Sequence, residues 1–194
     1  MPKNIRTFIA VEVSPTIRTR LVAVQQDLAA VAQDVKWVEP ENLHVTLKFL
    51  GQVDEREVHT VCRLAQEAVS GCEPFQMTVA GVGAFPTAQR PRVIWAGVTE
   101  GGPELIQIHG GLEQALRAEG YPREDRPYTP HITLGRFRHI TPNPQLAAAL
   151  DEHAAWDGGQ TLVRELLVMA SQLSSDGPHY AVMGRCRLDG DSDT

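Results

Sequence analysis

Apolar and polar positions in this chain switch between a period of two and a period near 3.6, and the switches mark its elements. Residues 8–13 form an apolar, β-branched run that predicts a first strand; Ser14-Pro15 then supplies an N-cap followed by proline at the first helical position. Beyond it Ile17, Leu21, Val24, Leu28 and Val31 recur at steps of four and three, which lays one apolar stripe along a helix ending near Asp34. Trp37-Val38 predicts a short strand, Pro40-Glu41-Asn42 a turn, and residues 43–50 a longer strand closed by Gly51. Asp54 and Glu57 make an acidic variant of the capping box before a second helix, whose Val58, Val61, Cys62, Ala65, Ala68 and Val69 share a face. Cys62 is thereby expected as a small buried hydrophobe.

Residues 75–82 and 93–98 predict strands on either side of a Gly- and Pro-containing connection, 83–91. A third helix starts near Pro103, buries Leu105, Ile108, Leu112, Ala115 and Leu116, and stops at Gly120. His109 lies on it and is expected to be structural or exposed. Residues 128–137 form another strand, Asn143-Pro144 opens a short helix, and residues 162–170 and 180–188 predict the last two strands. Helices and strands are mixed, and the order helix then polar-marked strand occurs twice. That predicts an α+β fold of two similar lobes, each with an antiparallel sheet.

The polar marks are a repeated tetrapeptide, His44-Val45-Thr46-Leu47 and His131-Ile132-Thr133-Leu134. Side chains on a strand alternate between faces, so His44 and Thr46 share one face, as do His131 and Thr133, while Val45, Leu47, Ile132 and Leu134 turn to a core. Two such strands can offer two imidazoles and two hydroxyls to one cleft.

Composition narrows the use of that cleft. The chain has 194 residues, 42% of them hydrophobic and 22% charged, as in ordinary globular proteins. Its net charge of -6 argues against broad binding to duplex nucleic acid, which needs a large basic surface, and leaves room for a small anionic ligand. Local cationic pairs exist at Arg90 and Arg92, Arg123 and Arg126, and Arg136 and Arg138; Arg136, directly after the second motif, is the one placed to serve it. Cys62, Cys72 and Cys186 have no C-x-x-C spacing, which fits a reducing compartment. With neither a signal-like h-region nor a long apolar run, the expectation is a soluble, cytoplasmic protein with no membrane partner.

Near neutrality one imidazole can be neutral while its partner is protonated, the requirement for paired general base and general acid catalysis. A phosphorus atom held between two such strands would meet one ring on the entering side and the other on the leaving side, with threonine hydroxyls and a guanidinium on the non-bridging oxygens. The chain has no G-x-S-x-G elbow, P-loop or G-x-G-x-x-G. A zinc or manganese site with His44 and His131 as two ligands is the rival reading, although no H-x-H or H-x-x-x-H spacing accompanies them.

At these residues the chain resembles the 2H phosphoesterases, and most closely their RNA 2′,3′-cyclic phosphodiesterase branch, formerly named 2′-5′ RNA ligases. The likeness rests on Arg6-Thr7-Phe8-Ile9-Ala10-Val11, on Pro40-Glu41-Asn42-Leu43-His44-Val45-Thr46-Leu47-Lys48-Phe49-Leu50-Gly51, and on Arg90-Pro91-Arg92-Val93-Ile94-Trp95. It continues through Tyr128-Thr129-Pro130-His131-Ile132-Thr133-Leu134-Gly135-Arg136, Ser171-Gln172-Leu173 and Gly177-Pro178-His179-Tyr180. The resemblance implies a bilobal fold over residues 1–190, followed by a polar tail at 191–194, with both motif strands lining a central groove. It implies hydrolysis of a terminal 2′,3′-cyclic phosphate to a 2′-phosphomonoester, with no metal and no cofactor. In that scheme His131 is the proton acceptor that activates water, His44 the proton donor to the departing 3′ oxygen, and Thr46, Thr133 and Arg136 hold the phosphate. Gly135 stands where relatives often have Ala, a change expected to loosen the backbone slightly. Phe49 and Tyr128 are expected to contact the RNA base. The expected partner is an RNA end rather than duplex DNA, and the chain is expected to act as a monomer. The same groups could instead join RNA through a 2′-5′ linkage, or bind RNA ends without turnover.

Overall fold

The computed structural model describes residues 4–139, 142–174 and 177–190; the tail expected at 191–194 lies outside them. In chain order they form β1 (Asn4–Glu12), α1 (Pro15–Ala29), β2 (Val35–Trp37), β3 (His44–Asp54), α2 (Val58–Ala68), β4 (Phe75–Thr87), β5 (Arg90–Val98) and α3 (Gly102–Ala118). Next come β6 (His131–Phe137), α4 (Pro144–Glu152), β7 (Asp157–Val163), β8 (Glu165–Ser174) and β9 (Gly177–Arg187).

The helix starts follow the local chemistry. Ser14 Oγ accepts from the Ile17 amide at 3.3 Å and Asn143 Oδ1 from the Leu146 amide at 2.9 Å, each ahead of a proline that gives up no helical hydrogen bond. Asp54 caps a 3₁₀ turn at Glu55–Glu57, and only then does α2 begin. Ile17, Leu21, Val24 and Leu28 are all buried, each contributing about 1.5–3 kcal/mol through the area removed from water. The helix stops at Ala29 rather than near Asp34, because the Val31 carbonyl is taken by Asn143 Nδ2 at 2.8 Å instead of by a further helical turn.

Other expectations change as well, and β3 runs through Gly51 to Asp54 instead of closing at that glycine. The connection expected at 83–91 is strand: β4 and β5 form one long hairpin out to Thr87 opposite Arg90, with only Ala88 and Gln89 at its turn. Pro86 lies opposite Pro91 where this ribbon is two-stranded, so neither proline removes a bond from an inner ladder. The single strand expected at 162–170 is broken at Arg164, whose carbonyl accepts from the Leu188 amide, and its two parts, β7 and β8, belong to different halves of the sheet.

All the strands of the described residues join one antiparallel sheet in the order β7-β4-β5-β6-β3-β1-β8-β9, with β2 added to β6. The two antiparallel halves expected from the repeat thus meet at β6 and β3, joined by one ladder pair, Val45 opposite Ile132. The halves interlock. The strand after α2, β4, enters the half built around β6, where β7, the strand after α4, joins it, while β8, which follows β7, enters the half built around β3. Helices cross over too, α1 packing under β6 and β7 and α3 against β3 and α2. Among the described residues no helix is long and apolar enough to cross a membrane.

Candidate active site

Val45 and Ile132 face each other and are fully buried beneath the helices. Continued one residue either way, this antiparallel register sets His44 across from Thr133 and Thr46 across from His131 on the opposite face. The two imidazoles occupy one diagonal of that quadrilateral, about 7–8 Å apart between Cα atoms by strand geometry. All four side chains are half-buried.

Each ring is fixed by main chain. His44 Nδ1–H donates to the Asn42 carbonyl and His131 Nδ1–H to the Thr129 carbonyl, both at 2.7 Å and both to the residue two positions earlier. A carbonyl can only accept, so Nδ1 carries the hydrogen and each neutral ring keeps its lone pair on Nε2. The two rings then differ. His44 Nε2 lies 2.9 Å from Thr46 Oγ1, whereas His131 Nε2 has no protein hydrogen-bond partner among the described residues. Burial holds His44 below the ordinary value of 6.5, the Asn42 carbonyl works against it, and the charges of Arg136 and His131 push it down further. His131 is lowered likewise, first by burial and then by Arg136, with the Thr129 carbonyl opposing.

A feature of the backbone places Arg136 and Phe49. The partners of β3 on β1 skip Leu47, and the partners of β6 on β5 skip Leu134, so each copy of the tetrapeptide ends in a β-bulge at its leucine. A bulge inverts the alternation after it. Lys48 and Gly135, which simple alternation would turn to the groove, are buried instead, and the next residues, Phe49 and Arg136, return to the groove face. Phe49 is 48% exposed, with its ring 5.9 Å from that of Phe8, which in turn lies 5.0 Å from His44. Arg136 acts electrostatically on His44, His131 and Tyr180 together.

Gly135 does not loosen this strand. A Cβ built there would lie 2.4 Å from Val35 Cγ1 and 2.9 Å from Trp37 Cε3, so β2 occupies the space that a side chain would need. Lys48 is only 1% exposed; its Nζ reaches Glu113 Oε1 at 2.5 Å and the Pro122 carbonyl at 2.9 Å. Tyr128, expected at the base, has one ring face stacked on His109, with centroids 4.3 Å apart and planes 6° off parallel. Its hydroxyl donates to the Thr46 carbonyl at 3.0 Å, which braces the second motif's approach against the first motif's strand. His109 is structural, as expected. Tyr128, Lys48 and Glu113 were not legible as a set in the sequence, since their meeting depends on the bulge and on α3 crossing to β3.

Among the described residues no three His, Cys, Asp or Glu side chains converge as a metal-ligand cluster. What the groove offers is two imidazoles with fixed tautomers, two hydroxyls and one guanidinium on opposed strands, the equipment of a two-histidine phosphoesterase. The family model described as LigT like Phosphoesterase matches the chain twice, over residues 11–95 and 97–180, and the chain belongs to that family.

Two relatives named RNA 2′,3′-cyclic phosphodiesterase show the extent of the likeness. That of Archaeoglobus fulgidus is 36% identical over 90% of this chain and 96% of its own length, and that of Methanothermobacter thermautotrophicus is 33% identical over 95% and 100%. A crystal structure of a Thermus thermophilus protein superposes with a TM-score of 0.80 at 28% identity, covering 96% of this chain and 99% of the other. The crystal structure of E. coli LigT complexed with 3′-AMP gives 0.75 at 25% identity, covering 96% and 99%.

Proposed function

We propose that this protein hydrolyses the terminal 2′,3′-cyclic phosphate of RNA to a 2′-phosphomonoester, without a metal ion. The observation that carries the reading is the register of β3 and β6, in which each imidazole stands beside the other motif's threonine. His131, whose Nε2 lone pair is unengaged, takes a proton from water as the water oxygen attacks phosphorus. The bond from phosphorus to O3′ breaks on the opposite side, and His44 Nε2–H delivers its proton to that oxygen. Solvent exchange restores both rings. Thr46 and Thr133 donate to the non-bridging oxygens, and Arg136 carries the charge that develops there. Phe49, exposed on the His44 side where O3′ leaves phosphorus, stacks on the base of the terminal nucleoside, which stays attached through O2′, and Tyr128 braces Thr46.

The names of the relatives support RNA as the substrate. One chain supplies both imidazoles, which supports a monomer as the active form, and its free cysteines suit the cytoplasm. The test is a short RNA ending in 2′,3′-cyclic phosphate, incubated with the protein in EDTA, with the product assigned by which oxygen keeps the phosphate. The expected product is the 2′-phosphomonoester, lost in His44→Ala and in His131→Ala. A 3′-phosphate product reverses the two roles, and turnover that stops in EDTA removes the metal-free scheme.

A further inference from the structure

Beside His131 the groove floor carries an aromatic pair for which the reaction gives no obvious use. The Phe85 ring and the imidazole meet in a T-shaped contact, with centroids 5.2 Å apart and planes at 85°. Behind it Trp95 packs against Phe85 at 5.2 Å and 34°. Register puts all of these groups on one face, with Trp95 opposite both Thr133 and Gly83, Gly97 opposite His131, and Phe85 opposite Val93.

Trp95 has room only because two neighbours lack side chains. A Cβ on Gly83 would lie 2.4 Å from Trp95 Cζ2, and one on Gly97 3.3 Å from Trp95 Cζ3. The berth is tight enough that Trp95 Nε1 is buried with no hydrogen-bond partner, a cost accepted at no other tryptophan among the described residues. An imidazole tied only through Nδ1 can still rock about that bond. On the β3 side rocking is restrained by Thr46 at Nε2 and by Phe8 and Tyr180 on the ring. On the β6 side Phe85 is the one aromatic ring in contact with the imidazole among the described residues.

We propose that Phe85, seated by Trp95 in the berth left by Gly83 and Gly97, is the positioning residue for His131, fixing the plane of the imidazole so that its bare Nε2 points at the attacking water. The inference rests on the reading of His131 as the base. Phe85 also shields the ring from water, while the charged or titratable groups that face it are Arg136 on its own strand and His44 on β3.

The experiment compares Phe85→Leu, Phe85→Ala, Gly83→Ala and the double variant Gly83→Ala/Trp95→Phe with the unaltered protein. Steady-state kinetics on a cyclic-phosphate RNA are followed against pH, and the His131 ring is titrated by NMR. Phe85→Leu should lower kcat about tenfold or more, with KM within about twofold, because it affects orientation rather than binding. Phe85→Ala should in addition move the His131 titration up towards 6.5, where burial no longer holds it down. Gly83→Ala, two strands away from the substrate, should reproduce the kcat loss by displacing Trp95, and shrinking Trp95 to Phe should restore it. Circular dichroism establishes that each variant is folded, and the NMR titration reports on His131 even where turnover is lost.

A rise in KM with kcat intact would make Phe85 a substrate contact and overturn the proposal, as would unchanged kcat and unchanged His131 titration in Phe85→Ala. His131→Ala, run in parallel, separates the two layers. Activity surviving in that variant sinks the base assignment, whereas loss there with Phe85 variants unaffected sinks this inference alone.

Discussion

Replacing Lys48 with methionine removes one charge from a position only 1% exposed while keeping most of the side-chain volume. Its Nζ is the partner of Glu113 Oε1 at 2.5 Å and of the Pro122 carbonyl at 2.9 Å, and Glu113 Oε2 already has no hydrogen bond. The variant therefore leaves a carboxylate at 14% exposure without its cation. Breaking a buried pair from one side costs about 3–5 kcal/mol, whereas replacing both partners by apolar groups of similar volume is close to neutral. Lys48→Met should thus lower unfolding stability by about 3 kcal/mol, and Lys48→Met/Glu113→Leu should recover about 2 kcal/mol or more of it.

His109 Nε2, 3.7 Å from Glu113 Oε1, is the group able to replace the missing cation, and Lys48 is one of the influences that hold its protonation down. The deficit of the single variant should accordingly shrink as the pH falls and His109 takes up a proton. Urea unfolding followed by circular dichroism, at two pH values and across the full cycle of variants, measures all of this. A loss below about 1 kcal/mol in Lys48→Met, or a double variant no better than the single, would refute the reasoning.

Other consequences can be checked as directly. Because both imidazoles sit below 6.5, the acid limb of kcat/KM, set by His131 having to lose its proton, should lie under that pH; Arg136→Gln should move both limbs upward and reduce turnover about 10²-fold, and unmoved limbs would contradict the placement of Arg136. The same lowering means that the unfolded chain binds more protons than the folded one below about 6.5, so stability should fall as the pH drops through that value, and less steeply in His44→Phe. Tyr128→Phe removes only the bond to the Thr46 carbonyl and should cost about 1 kcal/mol in unfolding free energy, with the fold unchanged by circular dichroism. Gly135→Ala should cost about 1–3 kcal/mol by overpacking against Val35 and Trp37, and trimming Val35 to Ala in the same chain should return part of the loss.

What the sequence conveys well is whatever depends on one element at a time. The stripe on α1 and its Ser14 cap are local, and the shared face of His44 and Thr46 follows from the pleat of a single strand. What it conveys poorly depends on a partner. Strict alternation would carry Lys48 and Gly135 to the groove and bury Phe49 and Arg136, and the bulges at Leu47 and Leu134 that reverse this show only in the pairing with β1 and β5. β7 opens with Asp157-Gly158-Gly159, which gives no strand signal, and exists because β4 offers it an edge. Tyr128 reads as a base-contacting aromatic because neither His109 nor the Thr46 carbonyl is near it in the chain.

The repeated bulge makes Phe49 and Arg136 occupants of the same seat, five residues beyond their histidines, on opposite sides of an approximate twofold axis between Val45 and Ile132. Two identical copies of such a unit, assembled as a dimer, would present the same side chain at both seats, and neither imidazole could specialise. Covalent fusion of the repeats frees one seat to become apolar and the other cationic, giving a twofold scaffold a direction along which a substrate can be read.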